Sequence, residues 1–172
     1  MLYKWLTEDG SAAHGGSGEW ALPHDGQPGE WMPQIDNIAL CECGYHAIDE
    51  AHLVDWITAR LFEFEGRGQH DEDPDGKSVW AQARLLREVT GWNERTARLF
   101  ACDCAERVLP VFERRYPEDS RPRDAIATAQ RFARGNATRG ELAAARDAAW
   151  DAAGAAAWDA ARAARAAARA AA

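Results

Sequence analysis

The sequence lacks the features that mark membrane-spanning, exported and disulfide-stabilised proteins. Its 172 residues contain no run of about 18 uncharged apolar residues, so we expect no membrane span. The start, MLYKWLTEDG, has no apolar core of a secretory signal, which predicts a cytoplasmic protein. Four cysteines are too few for a disulfide scaffold. We recognise no catalytic constellation and name no catalytic residue.

Lysine is also scarce, and the charges that are present are unevenly distributed. Residues 1–78 hold 4 Lys or Arg and 16 Asp or Glu, a net charge of −12, whereas residues 79–172 hold 16 Arg and 12 acidic residues, a net charge of +4. Glycine, proline and histidine concentrate in the first part, and alanine dominates the last third. This shift predicts two domains, 1–78 and 79–172. The total of −8 makes nucleic acid an unlikely partner.

Short apolar runs predict that residues 1–78 form a small mixed α+β domain. The predicted strands lie at residues 2–6, 38–41 and 61–65. Asp49 is suited to cap a helix to about residue 58, because Leu53, Trp56 and Ile57 recur at helical spacing. Gly, Ser and Pro between these elements predict long loops.

Two kinds of site are conceivable in this domain. Cys41, Cys43 and His46 are residue types that bind zinc. Cys-x-Cys is a poorer match to zinc sites than Cys-x-x-Cys, and the pattern favours two small buried cysteines with a packed histidine over a zinc site. No other cofactor is expected. A ligand-binding or enzymatic site would use residue types that perform acid–base chemistry. The candidates for such a site are Lys4, Tyr45, His46, His52, Glu63 and Glu65.

The second domain is predicted to be an all-α bundle with an alanine-rich last helix. Residues 79–89 fit either a strand or a helix. Helices are then predicted at 94 to about 115, at 120–135, and from the capping box of Thr138 and Glu141 to the chain end. The stripe expected to face the core of the first helix comprises Ala97, Phe100, Ala101, Cys104, Val108, Val111 and Phe112. The overall fold class is therefore α+β.

Two tryptophans and two arginines are candidate partner-binding residues in the helical domain. Trp150 and Trp158 either pack the last helix onto the other two or contact a partner, since Trp and Arg carry much of the energy of protein interfaces. Arg121 and Arg123 flank Pro122 at the start of the second helix. Alanine-rich helices also leave homo-oligomer formation open.

The motifs RLFACDCAERVLP, DSRPRDAI and FARG, followed by Ala-rich repeats, resemble a helical family of immunity proteins of bacterial polymorphic-toxin systems. The resemblance covers about residues 94–165. It implies a non-enzymatic protein that binds and blocks a cognate toxin.

The first domain carries KW, GEW, CGYH and LFEFEG, and it resembles an uncharacterised domain of phage and actinobacterial proteins. That resemblance implies no activity. The leading hypothesis is a protein-interaction factor, either immunity-like or a phage-encoded inhibitor, that binds a toxin or a host defence protein. The alternative is a small ligand-binding or enzymatic first domain, with or without zinc.

Overall fold

The computed structural model describes residues 1–170 and divides into two compact units, Met1–Asn93 and Glu94–Ala172. The shift in composition near residue 78 falls within a strand, Lys77–Glu88, that belongs to the first unit. The chain therefore changes its composition before it changes its architecture.

The first unit is a closed barrel of four antiparallel strands. Their order around the barrel is β1, β2, β4, β3, and each strand is antiparallel to both neighbours. The strands are β1 (Leu2–Leu6), β2 (Tyr45–Asp49), β3 (Arg60–Glu72) and β4 (Lys77–Glu88). The predicted helix after Asp49 is a short 3-10 helix, Glu50–Trp56, and the Asp49 carboxylate caps it by accepting the backbone N–H of His52 at 3.0 Å.

The backbone of this unit decides two predictions that were made from the sequence. The strand expected at residues 38–41 is wrong, because Cys41 has a positive φ of 65° and the chain reverses there. The backbones of Ala39 and Cys43 pair across the resulting turn as an isolated antiparallel β-bridge. Residues 79–89, which fitted either a strand or a helix, lie mainly in β4, where Val79, Ala81, Ala83 and Leu85 alternate as buried side chains on one face.

Two apolar clusters hold the barrel together. The larger joins alternate residues of the strands to Trp20 of the loop after β1, and its members are Leu6, Trp20, Ala47, Phe62, Phe64, Ala83 and Leu85. The smaller contains Trp5, Ile48 and Leu61, and residues of the 3-10 helix pack against it. Because β1 contributes Leu6 to one cluster and Trp5 to the other, the barrel is packed on both faces of this strand.

The second unit consists of three helices, of which the middle one contacts both others. They are α1 (Glu94–Arg115), α2 (Arg121–Ala133) and α3 (Arg139–Ala170). The capping box is confirmed, because Glu141 accepts the backbone N–H of Thr138 at 2.7 Å and donates its own backbone N–H to the Thr138 hydroxyl at 3.2 Å. The prediction that α3 reaches the chain end falls on residues 171 and 172, which lie outside the described residues.

The face that α1 presents to α2 differs from the expected one. Cys102 is buried and its thiol lies 3.9 Å from the Ile126 carbonyl oxygen of α2. Cys104, Val108 and Val111, expected in the core, are exposed instead. The prediction failed because α1 carries apolar residues on two faces, and periodicity alone does not say which one α2 covers.

Candidate functional site

A cavity opens in the barrel where β1 and β2 separate. The two strands are paired at only two positions, Leu2 with Asp49 and Tyr3 with Ile48. Beyond Tyr3, β1 continues its pairing with β3, and the earlier part of β2 pairs with β4. The gap between them is a cavity of about 690 Å³, also bounded by loop segments that include Ala12–Glu19. This volume lies within the usual range of small-molecule sites.

Lys4 lines this cavity from β1. Strand alternation places Lys4 on the same face as Leu2 and Leu6, and its Nζ lies 5.4 Å from the centre of the Trp20 ring. Burial lowers the pKa of Lys4 to about 8. Among the residues that the structure describes, no carboxylate lies close enough to Lys4 to form an ion pair or to raise its pKa again.

His46 and Lys77 line the same cavity from β2 and β4. Burial lowers the pKa of His46, and the positive charges of Lys4 and Lys77 lower it further. The His46 ring accepts the backbone N–H of Cys41 at its Nε2 atom, at 2.9 Å. The Lys77 ammonium lies 4.2 Å from the centre of the Trp56 ring and 3.2 Å from the Cys41 sulfur. The cavity is therefore lined by two ammonium groups and by aromatic rings.

The structure brings together only some of the residues proposed for a ligand-binding first domain. Lys4, Tyr45 and His46 line one cavity, with the Tyr45 hydroxyl donating to the Pro33 carbonyl at 2.7 Å. The other three candidates have carboxylate or cationic partners elsewhere. They are His52 with Asp49, Glu63 with Arg87, and Glu65 with Arg84.

The zinc hypothesis finds no support in the geometry. No group of three or more His, Cys, Asp or Glu side chains within residues 1–170 is arranged to hold a metal ion, and Cys41, Cys43 and His46 do not form one. The reason is local, since the turn at Cys41 directs its backbone N–H, rather than its thiol, at the imidazole nitrogen of His46.

In the second unit, both tryptophans of α3 lie on the surface. Trp150 is 80% exposed and Trp158 is 70% exposed. The alternative in which they pack α3 onto the other helices is wrong, because both indoles are exposed, whereas Ala152 is buried. Eight residues advance a helix by about 12 Å and by about 80° beyond two turns, so the two indoles flank Gly154 on one side of α3. A Cβ on Gly154 would meet no atom within 4 Å, which leaves an open gap between the indoles.

The two candidate arginines of α2 have partners within the helical unit. Arg121 forms a bidentate pair with Asp119, at 2.8 and 2.6 Å, and this pair raises the pKa of Arg121. Arg123 donates to Glu113 of α1 at 2.8 Å. Both side chains remain substantially exposed. They therefore form ion pairs at the surface of the helical unit and keep polar atoms accessible there.

A third exposed set, on α1, was missed because its residues were assigned to the core. Val108 is 64% exposed and Val111 is 63% exposed, and Cys104 lies one turn before Val108. Their spacing places them on one side of α1. Only Cys102 and Ala152 are fully buried apolar residues among the described part of this unit. Several large apolar side chains of the helical unit are therefore exposed to solvent, and exposed apolar side chains of this kind are typical of an interaction surface.

Comparison with known proteins concerns this helical unit. None of the helices within residues 1–170 combines the length and apolar character needed to cross a bilayer. Neither the curated proteins nor the solved structures provide a match to the chain. The match to a protein family begins at the end of β4 and runs through all three helices. Residues 88–172 match the family described as "Imm-5 like putative immunity protein".

Proposed function

We propose that the protein is an immunity-type protein that binds a partner protein toxin through its helical unit and blocks it without catalysis. The observation that carries this proposal is the family match over residues 88–172, which includes α1, α2 and α3. The exposed apolar side chains of the same unit support it, because exposed indoles are typical of protein interfaces.

Trp150 and Trp158 are the proposed central contacts. An indole buries roughly 150–250 Å² when a partner covers it, and both rings are mostly uncovered in this chain. The gap at Gly154 lets a partner side chain enter between them. Arg121 and Arg123 are proposed as secondary contacts, because their guanidinium groups already have carboxylate partners.

Charge gives the proposed partner a chemical character. The first unit has few basic residues and many acidic ones, and such a surface attracts basic proteins over long range. We therefore expect a toxin with a basic surface. Its association should slow as salt is raised, because exposed charges are screened.

The test is co-expression of this protein with the product of the neighbouring gene, which we expect to encode the toxin. We expect the intact chain to restore growth of bacteria that express the toxin, and the double variant Trp150→Ala/Trp158→Ala to fail. Arg139→Ala, at an exposed position in the first turn of the same helix, is the matched control and should still protect. Protection that survives the double variant but is lost in Val108→Ser/Val111→Ser would move the contact to α1. Failure of the intact chain to protect would contradict the proposed function.

A further inference from the structure

The two lysines of this chain line the same cavity of the barrel. Arginine supplies the other 18 basic side chains of the protein, yet both Lys4 and Lys77 line the cavity between β1 and β2. They come from separate strands, 73 positions apart in the sequence, so strand pairing rather than local sequence brings them together. Both ammonium groups of the lysine side chains therefore lie at one cavity, in the more acidic of the two units.

No carboxylate among the described residues forms an ion pair with the Lys4 ammonium, which faces only the Trp20 ring. An ammonium group that is removed from water without a carboxylate partner is destabilising, and the lowered pKa of Lys4 reflects this cost. Two carboxylates line the cavity, Glu19 and Glu42, and both are exposed and form no ion pair with Lys4. Lys77 lines the same cavity, and its positive charge and that of Lys4 both lower the pKa of His46.

The walls around this charge are flat and apolar. Trp20 and Tyr45 are in edge-to-face contact, with ring centres 5.4 Å apart, and Trp20 is the ring nearest the Lys4 ammonium. His14 holds the glycine-rich loop at the rim, because its Nε2 atom lies 2.9 Å from the Trp56 carbonyl oxygen. A flat apolar body can therefore pack on these rings while an anionic group reaches Lys4.

We propose that the cavity between β1 and β2 binds a small aromatic anion, whose carboxylate or phosphoryl group contacts Lys4 and whose ring packs against Trp20 and Tyr45. Lys77 adds a second positive charge at the same site, whereas His46, whose pKa is lowered, contributes a neutral imidazole. This binding site is separate from toxin binding by the helical unit, and either proposal can fail without the other.

The experiment uses the full chain and three probes, namely benzoate, phenyl phosphate and neutral benzyl alcohol. Calorimetry measures their affinities for the intact protein, for Lys4→Met, and for Arg146→Met, which removes one exposed positive charge from the other unit. We expect benzoate or phenyl phosphate to bind about tenfold more tightly than benzyl alcohol, and Lys4→Met to weaken anion binding by about tenfold. Arg146→Met should bind like the intact chain. Tighter binding of phenyl phosphate than of benzoate assigns a phosphoryl group to the natural ligand, and the reverse order assigns a carboxylate.

Lysine titration supplies a second measurement that needs no variant. Protein labelled with ¹³C-lysine gives one set of ε-methylene signals from each of its two lysines. A bound anion should raise the pKa of Lys4 from about 8 toward its ordinary value of 10.5. The proposal is overturned if neither anion moves the Lys4 signal, if benzyl alcohol binds as tightly as the anions, or if Lys4→Met binds them unchanged.

Discussion

The same substitution at two glycines of the helical unit should change its stability in opposite directions. Gly154 lies inside α3, where an added Cβ would meet nothing within 4 Å. Alanine is favoured over glycine in a helix interior by about 1 kcal/mol, so Gly154→Ala should stabilise the unit. Gly135 follows α2 with a φ of 79°, also in open space. Alanine in that left-handed conformation is strained, so Gly135→Ala should destabilise the unit by about 1 kcal/mol.

Thermal melting followed by circular dichroism at the helical band measures both effects. For a unit of this size, about 1 kcal/mol corresponds to a change in Tm of about 4–8 °C. We expect a rise for Gly154→Ala and a fall of similar size for Gly135→Ala. A lower Tm for Gly154→Ala would refute the account of α3 as an uninterrupted helix through residue 154. An unchanged or higher Tm for Gly135→Ala would refute the left-handed end of α2.

Three further predictions concern the capping box, the barrel core and a surface pair. Thr138→Ala should lower the free energy of unfolding by about 1 kcal/mol, whereas Thr138→Ser should preserve it, because only serine keeps the hydroxyl that caps α3; chemical denaturation measures both. Phe62→Ala should cost about 3–5 kcal/mol by the same assay, since Phe62 is 1% exposed in the larger barrel cluster. His52 should titrate above its ordinary pKa of 6.5 because it hydrogen-bonds to Asp49, and Asp49→Asn should bring that pKa down in an NMR titration. Because the pKa of His52 is raised in the folded chain, this pair stabilises the protein at acidic pH, and the stabilisation is lost as the pH rises through that pKa. If the stability of the intact chain relative to Asp49→Asn increased over this pH range, the assignment would be contradicted.

The helices were predictable because their ends carry local signals. Tyr116-Pro117 ends α1, Pro122 lies in the first turn of α2, and Thr138 with Glu141 begins α3. Each signal acts within a few residues, so it can be read from the sequence alone. Which face of a helix is covered depends on a neighbour instead. Cys102 rather than Cys104 is buried because α2 packs on that side of α1.

The cavity could not be predicted from local sequence patterns, because it too depends on residues that are distant in the sequence. Alternation along β1 places Lys4 with Leu2 and Leu6, which describes a lysine on an apolar face. That this lysine borders a cavity depends on where β1 and β2 stop pairing and on loop segments far along the chain. The turn that replaces the predicted strand at residues 38–41 was also missed. Cys41 adopts a positive φ there, and a cysteine gives no sequence signal for that conformation.

The most direct test of the proposed toxin binding by α3 is the affinity of the purified protein for the toxin that it protects against, measured with and without the two indoles. Loss of an interface tryptophan commonly costs about 2 kcal/mol or more, which corresponds to about 30-fold in Kd. Because both indoles are exposed, their removal should change the free energy of unfolding by less than about 0.5 kcal/mol. We predict that Trp150→Ala/Trp158→Ala retains the Tm of the intact chain and binds the toxin at least about 30-fold more weakly. An unchanged Kd in a folded double variant would contradict the account.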